Sequence, residues 1–158
     1  MILYHGSNLG IENPLIIDSK RALDFGKGFY LTTDLEQAKK WAILMTKRRE
    51  CGVPTVSIFE YDESNELKIL QFDNANKEWL YFITNNRKMI DNSSDYDIVI
   101  GPVANDNTMP VINLYLGGDY DEDEALKRLL PQKLKDQVVF KTDKSLKYLE
   151  FKEIIKYE

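Results

Sequence analysis

The sequence predicts an α+β domain, a mostly antiparallel, split β-sheet flanked by a few helices. Strand-like segments outnumber helical ones, and most links between strands are too short for a parallel crossover. The 158 residues make one domain, 1–158, long enough to bury a core. With 43% hydrophobic and 30% charged residues, the chain reads as globular and not as disordered.

The elements follow in order. Ile2 to Tyr4 is a short apolar strand, and a loop with the turn residues Asn8, Gly10, Asn13 and Pro14 comes after it. Phe29 to Thr33 reads as a second strand, with two aromatics, a leucine and two β-branched threonines. Thr33 and Glu36 fit a capping box, and Leu35, Ala38, Trp41, Ala42 and Met45 recur at helical spacing. Lys47, Arg48 and Arg49 suit a helix C-terminus, and Gly52 and Pro54 end the helix. Thr55 to Tyr61 and Leu67 to Phe72 read as the two strands of a hairpin. Trp79, Leu80, Phe82 and Ile83 predict a helix whose Trp79 and Phe82 join the core. Asp97 to Gly101 is a short buried strand stopped by Gly101-Pro102. Asp119 to Leu130 reads as a helix, acidic at its start and basic late, as the macrodipole favours. Gln137 to Lys141 and Tyr148 to Ile155 are the last strands.

Composition narrows the function classes. A net charge of −5 argues against broad electrostatic binding to nucleic acid or anionic membrane. With one histidine and one cysteine, Cys51, neither a disulfide framework nor a multi-histidine or cysteine-rich metal site can be built, and no metal is expected. No signal peptide and no membrane span is expected, which predicts a cytoplasmic protein. P-loop and nucleophile-elbow motifs are absent, and G-K-G-F followed by a strand is a poor dinucleotide-fold fingerprint.

What remains is a histidine at a strand end followed by Gly6 and Ser7, and a G-x-G turn leading into Tyr30. Alone, each is ordinary. A strand-end histidine is commonly structural, two glycines mark a turn or bulge, and a strand tyrosine packs. Arg21 could reach a pyrophosphate as a bidentate donor or be an exposed loop cation. Asp106, in a turn after Gly101-Pro102, is a turn cap or a site residue.

Together, Tyr4-His5-Gly6-Ser7 and the run Phe25 to Tyr30 within FGKGFYLTT resemble the His-Tyr-Glu type of ADP-ribosyltransferases, the poly(ADP-ribose) polymerase-like class. Trp41 adds an aromatic on the helix after the tyrosine strand. This likeness covers chiefly the first third of the chain. Nearly all of it also resembles a bacterial family of small predicted ADP-ribosyltransferases, with YDIVIGPVAND and DQVVFKTDKSLKYLEF as later landmarks.

The resemblance implies an ADP-ribosyltransferase-like fold, NAD as co-substrate and a role for each matching residue. Gly6 would hold the nicotinamide carboxamide through its backbone, Ser7 would bond the carboxamide oxygen, and His5 would bond the adenosine ribose. Tyr30 and Trp41 would sandwich the nicotinamide, and Gly26 and Gly28 would let the chain pass close to the ligand. Arg21 is the candidate for the pyrophosphate.

The third member of the triad departs from the pattern. The glutamate expected at the start of a late strand is replaced by Gln137. A carboxylate there stabilises the oxocarbenium-like cation formed when the nicotinamide–ribose bond breaks. Glutamine can hold the ribose hydroxyl but carries no charge and cannot act as general base. Asp136, beside it, points to the opposite face by strand alternation.

The resemblance therefore implies a mono-ADP-ribosyltransferase with catalytic residues His5, Tyr30 and Gln137. It would modify a protein or a nucleic acid, as a toxin or defence effector paired with a neutralising antitoxin protein. Two alternatives stand beside it. One is an NAD- or ADP-ribose-binding module without turnover. The other is an RNA 2′-phosphotransferase, whose extra arginine pattern is not apparent here.

Overall fold

The computed structural model describes residues 1–16, 23–88 and 95–158. Seven strands and five helices are found among them, arranged as α+β. The strands are β1 (Ile2–Ser7), β2 (Phe29–Leu31), β3 (Thr55–Tyr61), β4 (Ile69–Gln71), β5 (Ile98–Pro102), β6 (Asp136–Phe140) and β7 (Leu149–Lys156). The helices are α1 (Leu35–Arg49), α2 (Lys77–Arg87), α3 (Met109–Leu116), α4 (Glu122–Leu129) and α5 (Asp143–Leu146).

The sheet is split. One half runs β1-β3-β7 and the other β2-β6-β5-β4. They meet at one bridge, where Tyr4 and Thr32 exchange both backbone hydrogen bonds at 2.9 Å. All pairings are antiparallel except β4 with β5. The segment read as a hairpin partner of β3 is therefore β4, in the other half-sheet and parallel to β5. The reason is the intervening α2, which supplies the long crossover a parallel pair needs.

Three cores fill the layers. Leu3, Phe29, Leu31, Val138 and Phe140 lie in one, joined by Phe59 and Tyr61 of β3. Phe25, Trp79, Phe82, Val99, Ile112 and Val139 form a second on the opposite face of β2-β6-β5. Trp79 and Phe82 are buried as expected, and the Trp79 indole donates to the Pro102 carbonyl at 2.9 Å. Ala38, Val56 and Ile58 make the third, where α1 covers β1 and β3.

Helix ends differ from the sequence reading in detail. Asp34, not Thr33, caps α1 and accepts from the Gln37 N–H at 3.0 Å, so the Thr33–Glu36 box does not form. The preceding Thr32 hydroxyl holds the Asp34 N–H, which places the cap one residue later. Helix α4 starts at Glu122, because Asp121 accepts the Glu124 N–H and fixes the cap there. Helix α3 was not foreseen: its proline and β-branched residues disguise it, and the proline sits in the first turn, where it is tolerated. The Asn105 side chain, not Asp106, caps the turn before it; Asp106 is exposed. No helix among the described residues is long and apolar enough to cross a membrane.

Helix α1 lies directly on β1. A Cβ at Gly6 would stand 2.0 Å from the Ala38 carbonyl oxygen and 3.0 Å from the Ala42 nitrogen, both backbone atoms. Gly6→Ala should therefore push α1 off the sheet and destabilise the fold by about 1–3 kcal/mol. Denaturant unfolding of the two proteins measures it; equal midpoints would show that α1 has slack at this position.

Candidate functional site

Of the expected residues, Gly6, Tyr30 and Gln137 lie along the split between the half-sheets. Direction along β1 alternates, so main-chain groups two residues apart point to the same side. Tyr4 spends its N–H and C=O on Thr32 of the other half-sheet. Gly6 must therefore aim its own N–H and C=O at the same side, toward Tyr30. No Gly6–Tyr30 ladder bond forms: the Tyr30 carbonyl is taken at 2.7 Å by His5 Nδ1. The two half-sheets diverge here, and the Gly6 peptide groups face the opening with no partner in β2.

Faces follow from the cores. Phe29 and Leu31 pack into the core that contains Leu3, whereas Tyr30 packs against the core that contains Val139. Tyr30 is paired with Val139, and Gln137 lies two residues from Val139, hence on the same face as Tyr30. The structure thus puts the Tyr30 and Gln137 side chains on one face, with the Gly6 backbone at its edge. Gln137 is 3% exposed, and its Nε2 is buried with no hydrogen-bond partner. A buried amide N–H left unpaired costs about 1–3 kcal/mol. Asp136 is exposed at the strand start, where burial of its carboxylate and the nearby Asp73 raise its pKa.

His5 is not on that face. Its ring stacks on Phe29 at 4.3 Å between centroids and 22° between planes. It shares no wall with the Tyr30 phenol and grips the Tyr30 main chain from behind. A carbonyl only accepts, so Nδ1 carries the hydrogen. Burial pushes the imidazole pKa down to about 4; the Tyr30 bond opposes this and the Arg49 charge adds to it. At neutral pH the ring is uncharged, and Nε2 presents a lone pair.

The turn before β2 is clamped from several sides. The Tyr30 hydroxyl donates to the Gly26 carbonyl and accepts the Phe25 N–H at 3.1 Å. Burial raises the pKa of this phenol far above its ordinary value. Gly26 adopts φ +76°, the left-handed region that favours glycine. A Cβ on Gly28 would meet Val139 Cγ1 at 2.5 Å, so that glycine is required by its closeness to β6. Arg87 pairs with Asp24 at 2.6 Å, Asn86 donates to the Asp24 carbonyl, and Lys141 donates to the Phe25 carbonyl. None of these three clamps was visible in the sequence, because each acts across more than sixty residues.

Of the other expected residues, Ser7 is buried and donates to Asn8 Oδ1 at 3.2 Å. Trp41 is half-buried on α1, on the flank of the Ala38–Ala42 stripe that packs over Gly6. Lys27 is exposed in the turn. Arg21 lies outside the described residues. An open hollow of about 650 Å³ around Met1, Glu60 and Tyr61 lies at the other end of β1 and contains none of these residues.

His5 supplies a pH signature. Its folded pKa lies below the 6.5 of an unperturbed imidazole, so the unfolded chain binds the proton more tightly. Its contribution to stability is full above about pH 6.5 and is lost as pH falls toward about 4. His5→Asn keeps an N–H donor for the Tyr30 carbonyl and removes the titration. Its melting temperature should fall less than that of the wild type across this window. Identical profiles would rule out His5 as the titrating group.

Comparison with known proteins gives two kinds of likeness. A 67-residue segment is 36% identical to a trigger factor of Borrelia hermsii (strain HS1 / DAH), covering 42% of this chain and 15% of that protein. The same length is 34% identical to a trigger factor of Borrelia turicatae (strain 91E135), again over 42% of this chain and 15% of the relative. The chain spans less than a sixth of either relative, and nothing about activity follows from so short an overlap. The match to a family is far broader: residues 1–151 fit the model described as "Protein of unknown function (DUF3990)", and the chain belongs to that family.

Proposed function

We propose that the protein is a mono-ADP-ribosyltransferase that takes NAD as co-substrate and moves ADP-ribose to a macromolecular acceptor. The observation that carries this is the divergence of the half-sheets past Tyr4–Thr32, which leaves the Gly6 N–H and C=O directed at the split with no ladder bond to β2. A carboxamide such as that of nicotinamide carries one acceptor and one donor group, which complements this pair. Tyr30 and Gln137 share the adjoining face, and the Trp41 helix lies over Gly6.

In this reading His5 holds the Tyr30 main chain in place from the face opposite the Tyr30 and Gln137 side chains. Gln137 donates its unpaired N–H to a ribose oxygen. It stabilises the developing cation less than a carboxylate would, because it offers a dipole and no charge. Transfer can proceed when the acceptor brings its own nucleophilicity and the pocket aligns it. Nicotinamide leaves as a neutral molecule. A toxin or defence role with a neutralising protein partner accompanies this reading by analogy only.

The buried, uncharged Gln137 also favours a second reading, a receptor that binds NAD or ADP-ribose without turnover. Nicotinamide release from NAD, measured with label transfer to whole-cell protein and separately to nucleic acid, tells the two apart. Under the transferase reading, Gln137→Ala should lower transfer about tenfold to a hundredfold and leave NAD affinity nearly intact, since the group acts mainly as charge develops. Gln137→Glu should increase NAD hydrolysis. Binding with no nicotinamide release, in the wild type and in Gln137→Glu alike, would establish the receptor. The site should also need no metal: activity should survive EDTA, and loss restored by one divalent ion would refute that.

A further inference from the structure

Arg49 closes α1 in a last turn that also carries Lys47 and Arg48. Cations at this position ordinarily face the last helix carbonyls. Arg49 instead turns toward the end of β1, where its Nη1 donates at 2.7 Å to Oδ1 of Asn8, a residue 1% exposed. Asn8 cannot swivel away. Its Nδ2 donates to the Cys51 carbonyl at 3.3 Å, and its Oδ1 also receives the Ser7 hydroxyl. One N–H of the five in the guanidinium is therefore anchored to a buried group beside the His5-Gly6-Ser7 strand end. Among the described residues no carboxylate pairs with Arg49. The residue itself is exposed, so its remaining donors face solvent.

A guanidinium aimed by a buried partner, with no carboxylate pairing it among the described residues, is chemistry for a phosphate. The protein as a whole carries −5, so an anionic ligand needs a local cation to be held. We propose that Arg49 binds phosphate oxygens of the dinucleotide at the His5–Ser7 end of β1. This rests on the reading of the split as an NAD site. The phosphate is the pyrophosphate or, in NADP, the 2′-phosphate.

Calorimetric titration of the full chain with NAD, NADP, ADP and nicotinamide tests it, using wild type, Arg49→Met and Arg49→Lys. Arg49→Met should weaken NAD and ADP about tenfold to a hundredfold, leave nicotinamide unchanged and flatten the salt dependence. Arg49→Lys should recover part of the loss, because the charge returns without the fork. A loss confined to NADP would place the 2′-phosphate at Arg49 and also support the proposal. Melting temperatures without ligand separate misfolding from lost contacts; a variant that melts like the wild type and still binds NAD, NADP and ADP with wild-type affinity overturns the proposal and spares the NAD reading. If the wild type binds ADP but not NAD and Arg49→Met abolishes this, the phosphate site stands and the NAD reading falls. If the wild type binds none of the four, both fall.

Discussion

The closeness of α1 to β1 governs the rest of the architecture. At Gly6 the helix backbone approaches so near that no side chain fits. This fixes the height of α1 over the first half-sheet, and with it the position of Trp41. It also leaves the strand end thin, so that main-chain groups, not side chains, line the opening. Beside their shared core, the half-sheets are joined among the described residues by one backbone bridge and one imidazole. A ladder that continued past Tyr4–Thr32 would have consumed the Gly6 peptide groups. The divergence of the two halves is what leaves them open.

Electrostatics around this seam is arranged by exclusion of water more than by charge. The imidazole is uncharged, the phenol stays protonated, and Gln137 is neutral. The ion pair of Asp24 with Arg87 stands back from the opening and holds the turn. A neutral floor is a poor stabiliser of cations and a good host for a ring that carries only a carboxamide. Under the proposed function, the charge of a ligand would be met by Arg49, which stands at the end of β1.

The sequence made some of this legible and hid the rest, for physical reasons. The amphipathic repeat of α1 and the aromatic β2 announce themselves because their patterns are local. The link that carries α2 joins the one parallel pair found among the described residues. Sequence adjacency points β4 to β3, while its actual partner, β5, is reached through α2. Helix α3 was hidden by Pro110, whose meaning depends on whether it falls in a first turn. At the site, His5, Gly6, Tyr30 and Gln137 could be named from motifs, but not their faces. That His5 and Tyr30 point apart depends on which strand each pairs with. The clamps from Arg87, Asn86 and Lys141, and the aim of Arg49, are tertiary and leave no local trace.

The order of strands in the second half-sheet has a consequence for biosynthesis. Tyr30 on β2 is paired with Val139 on β6, and the strand that brings Gln137 arrives more than one hundred residues after the tyrosine. Closing so long a loop carries an entropic cost that local contacts cannot offset early. A nascent chain emerging as far as α3 would therefore hold both N-terminal motifs without a floor beneath them. The pocket comes into being late, in one step, when β6 slots between β2 and β5. Until most of its length has been made, the chain therefore lacks the face that Tyr30 and Gln137 share.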